Sequence, residues 1–186
     1  QTELKDILFT VKTTAKFHKT RLPILLDTWV SFVRDNTYFF TDADDAELQQ
    51  RLPPNRLVNT NCSASHIRKA LCCKRAAEFD AFLRDLTKRW FCHVAADTYV
   101  NVPEMLHLLR TFDHREDWYL GKPSLRHPIE IIDRDHMNHL SPAEIQMRQS
   151  AGGNNNNNNN NNNATANNRA TFWFATGGAG FCLSRA

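Results

Sequence analysis

The 186-residue chain contains no run of about 18 consecutive apolar residues, which excludes a membrane-spanning helix within it. Its first residues, QTELKDILFTV, have neither the basic start nor the apolar stretch of a secretory signal peptide. No CxxC pair is present, and the spacings of the five cysteines do not favour a zinc site. Neither sign of charge is in large excess, with a net value of only +3. The densest basic run, His66 to Arg75 (HIRKALCCKR), is interrupted by Ala, Leu and two Cys and reads as a solvated helix face. Without a continuous basic stripe and interleaved aromatics, nucleic acid is not an expected partner.

What is there suits a globular domain: 41% hydrophobic and 23% charged residues over a length that can bury a proper core. The chain opens without an initiator Met and ends on FCLSRA, which reads as the start of a helix with no stop signal. The expectation is a piece of a longer protein, with any targeting segment outside it. Cys62 and Cys73 bracket a short segment, Cys72 adjoins Cys73, and Cys92 and Cys182 stand in or beside apolar strands. Two readings are open: reduced core thiols, or two disulfides with one cysteine left over. The sequons Asn61-Cys-Ser63 and Asn163-Ala-Thr165 tilt the balance slightly toward an oxidising compartment.

Patterning along the chain predicts strands alternating with helices. Leu4–Val11 reads as a strand closed by Lys12-Thr13-Thr14. Ala15–Phe32 has helical spacing at Phe17, Leu22, Leu25, Leu26, Trp29 and Phe32. Strands are expected at 37–40, ended by the acidic turn Asp42-Ala-Asp-Asp45, and at 57–61. Ile67–Leu86 reads as a long helix with Leu71, Ala76, Phe79, Phe82, Leu83 and Leu86 as its apolar stripe. Trp90–Val94 is the near-continuous apolar run of a central strand. Pro103 at a first turn opens a helix through Phe112, and strands follow at 117–121 and 171–176. Residues 124–170, with ten consecutive Asn at 154–163, read as an irregular surface insertion that is disordered over about 133–170.

This alternation calls for an α/β architecture whose functional groups collect at the carboxyl ends of the strands. Three stretches then share one rim: Lys12-Thr13-Thr14, Ala95-Ala96-Asp97 and Gly177-Gly-Ala-Gly180. Each has a plainer reading. Thr13 and Thr14 suit a helix cap, Arg21 a helix-surface charge, and Asp97 a turn cap. The glycines suit close strand–helix packing, and His93 suits the sheet interior.

Nine segments in order resemble the Fringe glycosyltransferases: VKTTAKFHKTRL, LDTW, FFTDADD, VNTNCS, RKALCCK, KRWFCHV, YVNVP, DWYLGKPS and FWFATGGAGFCLSRA. The resemblance implies a GT-A-type fold with a mostly parallel sheet, incomplete at the C-terminus, in one partial glycosyltransferase domain over residues 1–186. It implies inverting transfer of N-acetylglucosamine from UDP-GlcNAc, with Mn²⁺, to O-linked fucose on epidermal-growth-factor-like repeats of Notch-type receptors. A Golgi-lumenal type II protein is implied, attached to the membrane only through an anchor outside this chain. It also implies pairing of Cys62 with Cys73 and of Cys92 with Cys182, leaving Cys72 free.

Carried over residue by residue, the resemblance makes Asp97 the metal ligand, Ala96 the donor-contact position and Arg21 a second donor contact. Thr13 and Thr14 fall where the family places the nucleotide, and Gly177 and Gly178 where backbone approaches the sugar. The chain departs from the pattern at Ala95 and Ala96, which stand where the family has carboxylates. One lost charged hydrogen bond to the donor costs roughly 1.5–3 kcal/mol. The family's catalytic Asp and metal-binding His follow the Gly-rich stretch, so no general base is carried onto residues 1–186. The chain is therefore expected to be inactive alone. The competing expectations are a non-catalytic fragment that binds nucleotide or glycoprotein, and a secreted interaction domain without sugar chemistry.

Overall fold

A computed structural model describes residues 1–132 and 169–186. Strands β1 (Ile7–Lys12), β2 (Thr37–Thr41), β3 (Leu57–Asn59), β4 (Trp90–Ala95) and β5 (Tyr119–Gly121) belong to one six-stranded sheet. Strands β6 (Ile129–Ile132) and β7 (Arg169–Phe172) form a separate antiparallel ribbon, and β8 (Phe181–Ser184) completes the sheet. The sheet order is β3-β2-β1-β4-β8-β5. Strands β1, β2, β3 and β4 run parallel, and β8 runs antiparallel to both β4 and β5. The fold is thus α/β with a mostly parallel sheet, as expected of a GT-A-type domain. The chain divides into two compact units, Gln1–Ser124 with Ala175–Ala186, and Leu125–Phe174; the ribbon lies in the second. The Asn run lies outside the described residues. No described helix is long and apolar enough to cross a membrane.

Alternation along β1 and β4 sorts their side chains onto two faces. Ile7, Phe9, Val11, Trp90, Cys92 and Val94 enter the larger apolar core, with Phe39 from β2 and Trp29 beside them. The helix α1 (Leu22–Asp27) closes this face through Leu22, Leu25 and Leu26, with α4 (Val102–Leu109) contributing Val102 and Leu109. The second face carries Leu8 and Phe91 against Phe82 of α3 (Arg68–Arg84). A further helix, α2 (Ala46–Arg51), is capped by Asp45, whose carboxylate accepts the Leu48 N–H at 3.0 Å.

Several expected boundaries move. The strand expected from Leu4 begins at Ile7, because Leu4–Asp6 forms a 3₁₀ turn whose first N–H, on Glu3, is held by the Asp6 carboxylate at 2.8 Å. The helix expected over 15–32 is three pieces: 3₁₀ turns at Ala15–Phe17 and Trp29–Phe32, with α1 between them. Thr28 ends α1 at φ −114°, ψ −117°, and its hydroxyl donates back to the Ile24 carbonyl at 2.6 Å. The strand expected at 171–176 is β7, in the ribbon rather than the sheet. FCLS is strand β8 and not a helix start, since its backbone pairs with both β4 and β5. The segment read as irregular from 124 contains β6.

The largest departure concerns α3. Its buried face is Ala70, Lys74, Glu78 and Phe82, spaced by four, while Leu83 and Leu86 are exposed. The sheet dictates this choice, because β1 and β4 present Thr10 and His93 to the helix. Glu78 Oε2 accepts the Thr10 hydroxyl at 2.8 Å and the His93 Nδ1–H. Arg75 donates to His93 Nε2 at 2.8 Å, which requires that nitrogen to be unprotonated. Burial lowers the His93 pKa below its ordinary 6.5, against the opposing pull of Glu78.

Both disulfides form as the resemblance implies, Cys62–Cys73 and Cys92–Cys182, with Cys72 free and exposed. The second joins facing residues of β4 and β8.

A neutral buried imidazole makes stability pH-dependent with a definite sign. The unfolded chain takes up the proton first, so the His93 contribution is complete above about pH 6.5 and is lost as pH falls below it. Thermal unfolding followed between pH 8 and 5 is expected to show a falling midpoint below about pH 6.5. His93→Asn is expected to flatten that slope, whatever its effect on the midpoint at pH 8.

Candidate functional site

Strand order reverses between β1 and β4, with β2 and β3 on one side and β8 and β5 on the other. Loops leaving the carboxyl ends of β1 and β4 therefore part, and a crevice opens between them. Lys12 and Ala95 are in register at these two strand ends, and Ala96 N–H donates to Lys12 O at 3.0 Å. Beyond them lies a pocket of about 380 Å³ lined by residues of all three expected rim stretches. Thr13, Thr14, Arg21, Ala96, Asp97, Gly177 and Gly178 all contribute to its wall. These seven are the whole set of donor and metal positions expected from sequence.

The floor is held by a buried ion pair. Lys74 Nζ donates to Asp42 Oδ2 at 2.5 Å and to the Thr13 carbonyl at 3.0 Å. Asp42 also accepts the Thr14 hydroxyl at 2.5 Å and the Ala15 N–H at 2.9 Å. Thr14 thus acts through its neighbour's carboxylate and not as a side-chain cap. Burial works to raise the Asp42 pKa, but the hydrogen bonds from Lys74, Thr14 and Ala15 outweigh it and leave the group below its ordinary range. The Thr13 hydroxyl is buried and has no partner.

The open side is built by Arg21 and Asp97, whose side chains pair at 3.1 Å. The Arg21 guanidinium also lies 3.6 Å from the centre of the Phe17 ring, which fixes its plane. Ala96 is buried at the edge of the main core. Together with Arg21, Asp97 and Trp29 it lines a second cavity of about 210 Å³. The buried Trp29 indole N–H has no acceptor.

The glycines divide by role. Gly180 has φ +82°, and a Cβ there would stand 2.8 Å from the His93 carbonyl oxygen, so it serves close packing. A Cβ on Gly178 would meet nothing within 4 Å, so its backbone is open to the pocket. Thr98 Oγ1 donates to Gly178 O at 2.8 Å and ties this loop to the one after β4.

Sequence reasoning gave Lys74 and Asp42 no place in the site, and it put Lys12 at the rim without a role. Lys12 is half-buried at the pocket wall, and among the described residues its ammonium has no hydrogen-bond or ion-pair partner. Burial lowers its pKa, with Arg75 and Lys74 adding to the effect and Glu78 opposing it. The available signal for Lys74 was its spacing of four from Ala70 and Glu78.

The residues present do not fit the expected Mn²⁺. Asp97 is the single carboxylate lining the pocket, and its Oδ2 holds Arg21. Among the described residues no group of three or more His, Cys, Asp or Glu converges as a metal site.

The wall formed by Ala64, Ser65 and His66 is anchored to α3 by Cys62–Cys73. Replacing both cysteines by serine is expected to cost about 3 kcal/mol in chemical denaturation under non-reducing conditions. Amide exchange at 63–66 should accelerate in the same variant. Lys74→Met leaves Asp42 buried and unpaired, and about 3–5 kcal/mol of stability should be lost, with part recovered in D42N/K74M.

Comparison with known proteins agrees with this geometry. The Fringe-like family model matches residues 2–186. The chain is 48% identical over 185 residues to the Fringe glycosyltransferase of Drosophila melanogaster, covering all of this chain and 38% of that protein. It is 46% identical over 183 residues to the β-1,3-N-acetylglucosaminyltransferase radical fringe of Notophthalmus viridescens, covering 98% of this chain and 39% of the relative. With the lunatic fringe enzyme of Gallus gallus it shares 44% over 181 residues, 97% of this chain and 42% of the relative. The chain therefore spans about two fifths of the length of these relatives. With the family model matched from one end of the described sheet to the other, the chain belongs to the Fringe family of glycosyltransferases.

Proposed function

We propose that these residues are the donor-binding portion of an inverting β-1,3-N-acetylglucosaminyltransferase that uses UDP-GlcNAc. The observation that carries the reading is the convergence of Thr13, Thr14, Arg21, Ala96, Asp97, Gly177 and Gly178 on one pocket at the strand-order reversal. The acceptor in this reading is O-linked fucose on epidermal-growth-factor-like repeats of Notch-type receptors. The compartment is the Golgi lumen, consistent with two disulfides, and attachment is through an anchor outside the chain.

Inverting transfer needs a base to take the acceptor proton as the donor bond breaks. The pocket's single carboxylate pairs with Arg21 through one oxygen, and in this reading the 186-residue chain binds donor without transferring it. Arg21 retains unused guanidinium donors, which match the paired oxygens of a diphosphate.

Saturation-transfer NMR with UDP-GlcNAc is expected to place signal on the uracil protons and the N-acetyl methyl. Arg21→Ala should weaken binding about tenfold or more, as expected for loss of a charged hydrogen bond. Mass spectrometry of an O-fucosylated repeat incubated with chain and donor should detect no added N-acetylhexosamine. Added sugar would overturn the binding-only reading, and absence of donor binding by the folded chain would overturn the donor pocket itself.

A further inference from the structure

The charges around the pocket can be counted directly. Its lining carries the cationic side chains of Lys12, Arg21 and Lys74 and the carboxylate of Asp97. Lys74 is offset by Asp42, and Arg21 by Asp97, at 2.5 and 3.1 Å. Lys12 is left, so the pocket is positive by one charge: three cations less the two carboxylates. Carboxylates at 95 and 96 would make it negative by one, and a diphosphate would then enter only with a divalent cation to offset the repulsion. Ala95 and Ala96 remove that requirement.

The pocket also offers groups suited to an anion. Lys12 is partly desolvated and without a partner among the described residues, a state that favours an incoming anion over bulk water. Thr13, the next residue of the same wall, is 4% exposed, and its buried hydroxyl has no hydrogen-bond partner. Arg21 uses one N–H on Asp97, and its side chain remains 37% exposed, so further donors can reach a ligand. Gly178 leaves room for close backbone approach.

We propose that this pocket binds a nucleoside diphosphate through Lys12, Arg21 and Thr13 without a divalent cation. The proposal rests on the reading of the pocket as a donor site, and it assigns Lys12 as a binding residue. In this chain the guanidinium of Arg21 already holds one of the two Asp97 carboxylate oxygens.

Calorimetric titration of the 186-residue chain with UDP tests it, run once in EDTA and once in Mn²⁺. The dissociation constants are expected to agree within about threefold, because the protein's own cations supply the charge. Lys12→Met should weaken UDP about tenfold in both buffers, with uridine unaffected, because the lost contact is to phosphate. A95D/A96D, checked for folding by circular dichroism, should weaken binding in EDTA about tenfold and make it respond to Mn²⁺. If the buried position 96 does not accept Asp, the half-buried A95D alone carries that arm.

Binding that occurs only with Mn²⁺ overturns this proposal and leaves the donor pocket standing. Binding in neither buffer by folded protein overturns the donor pocket. An unchanged affinity in K12M, or in the Asp-restored variant in EDTA, overturns the charge argument.

Discussion

The Asp42–Lys74 pair is the contact on which the site depends. It joins three elements at one point: the turn after β2, the end of β1 and the middle of α3. Both side chains are withdrawn from water, with 1% and 4% exposure. Such a pair is retained only where surrounding hydrogen bonds satisfy the remaining oxygens. Here the Thr14 hydroxyl and the Ala15 N–H do so, and they are the residues by which the chain turns out of β1 into the pocket wall. The direction taken by residues 13–15, and thus the shape of the crevice, follows from satisfying one carboxylate.

A second polar centre lies deeper along the same helix. Glu78, His93 and Thr10 connect α3 to the middles of β4 and β1, and Arg75 extends the chain of contacts to the imidazole. The helix is therefore fixed to the sheet by charged and hydrogen-bonded groups at 74, 75 and 78, with Phe82 as its apolar anchor. Polar attachment of this kind is directional, so it sets the rotation of the helix about its axis more narrowly than apolar packing alone would.

Much of this was legible in the sequence and some was not, for definable reasons. β4 was readable because a strand covered on both faces is a near-continuous apolar run, with His93 its one polar member, and the pocket was readable because strand ends cluster in α/β folds. The seven expected rim positions line one pocket, and the two disulfides pair as the family resemblance implies. α3 was misread because its apolar residues at 79, 83 and 86 suggested a stripe, while the face actually buried carries Lys and Glu. No pattern within the helix reports that the strand after it presents a buried histidine. The last strand was misread for a similar reason, since its pairing partner β4 lies about ninety positions earlier. Ala95 and Ala96 were visible at once, but their electrostatic meaning needed Lys12 without a partner and Arg21 on Asp97.

The Cys92–Cys182 link has a consequence for how this sequence can vary. The two cysteines face each other on adjacent strands and are separated by 90 residues. A covalent tie at both ends makes the intervening chain a closed loop whose closure cost grows only with the logarithm of its length. Doubling such a loop costs about 0.6 kcal/mol, less than a single misplaced core methyl. A homopolymeric tract such as the ten asparagines at 154–163 can therefore lengthen or shorten between generations with little effect on the stability of the sheet.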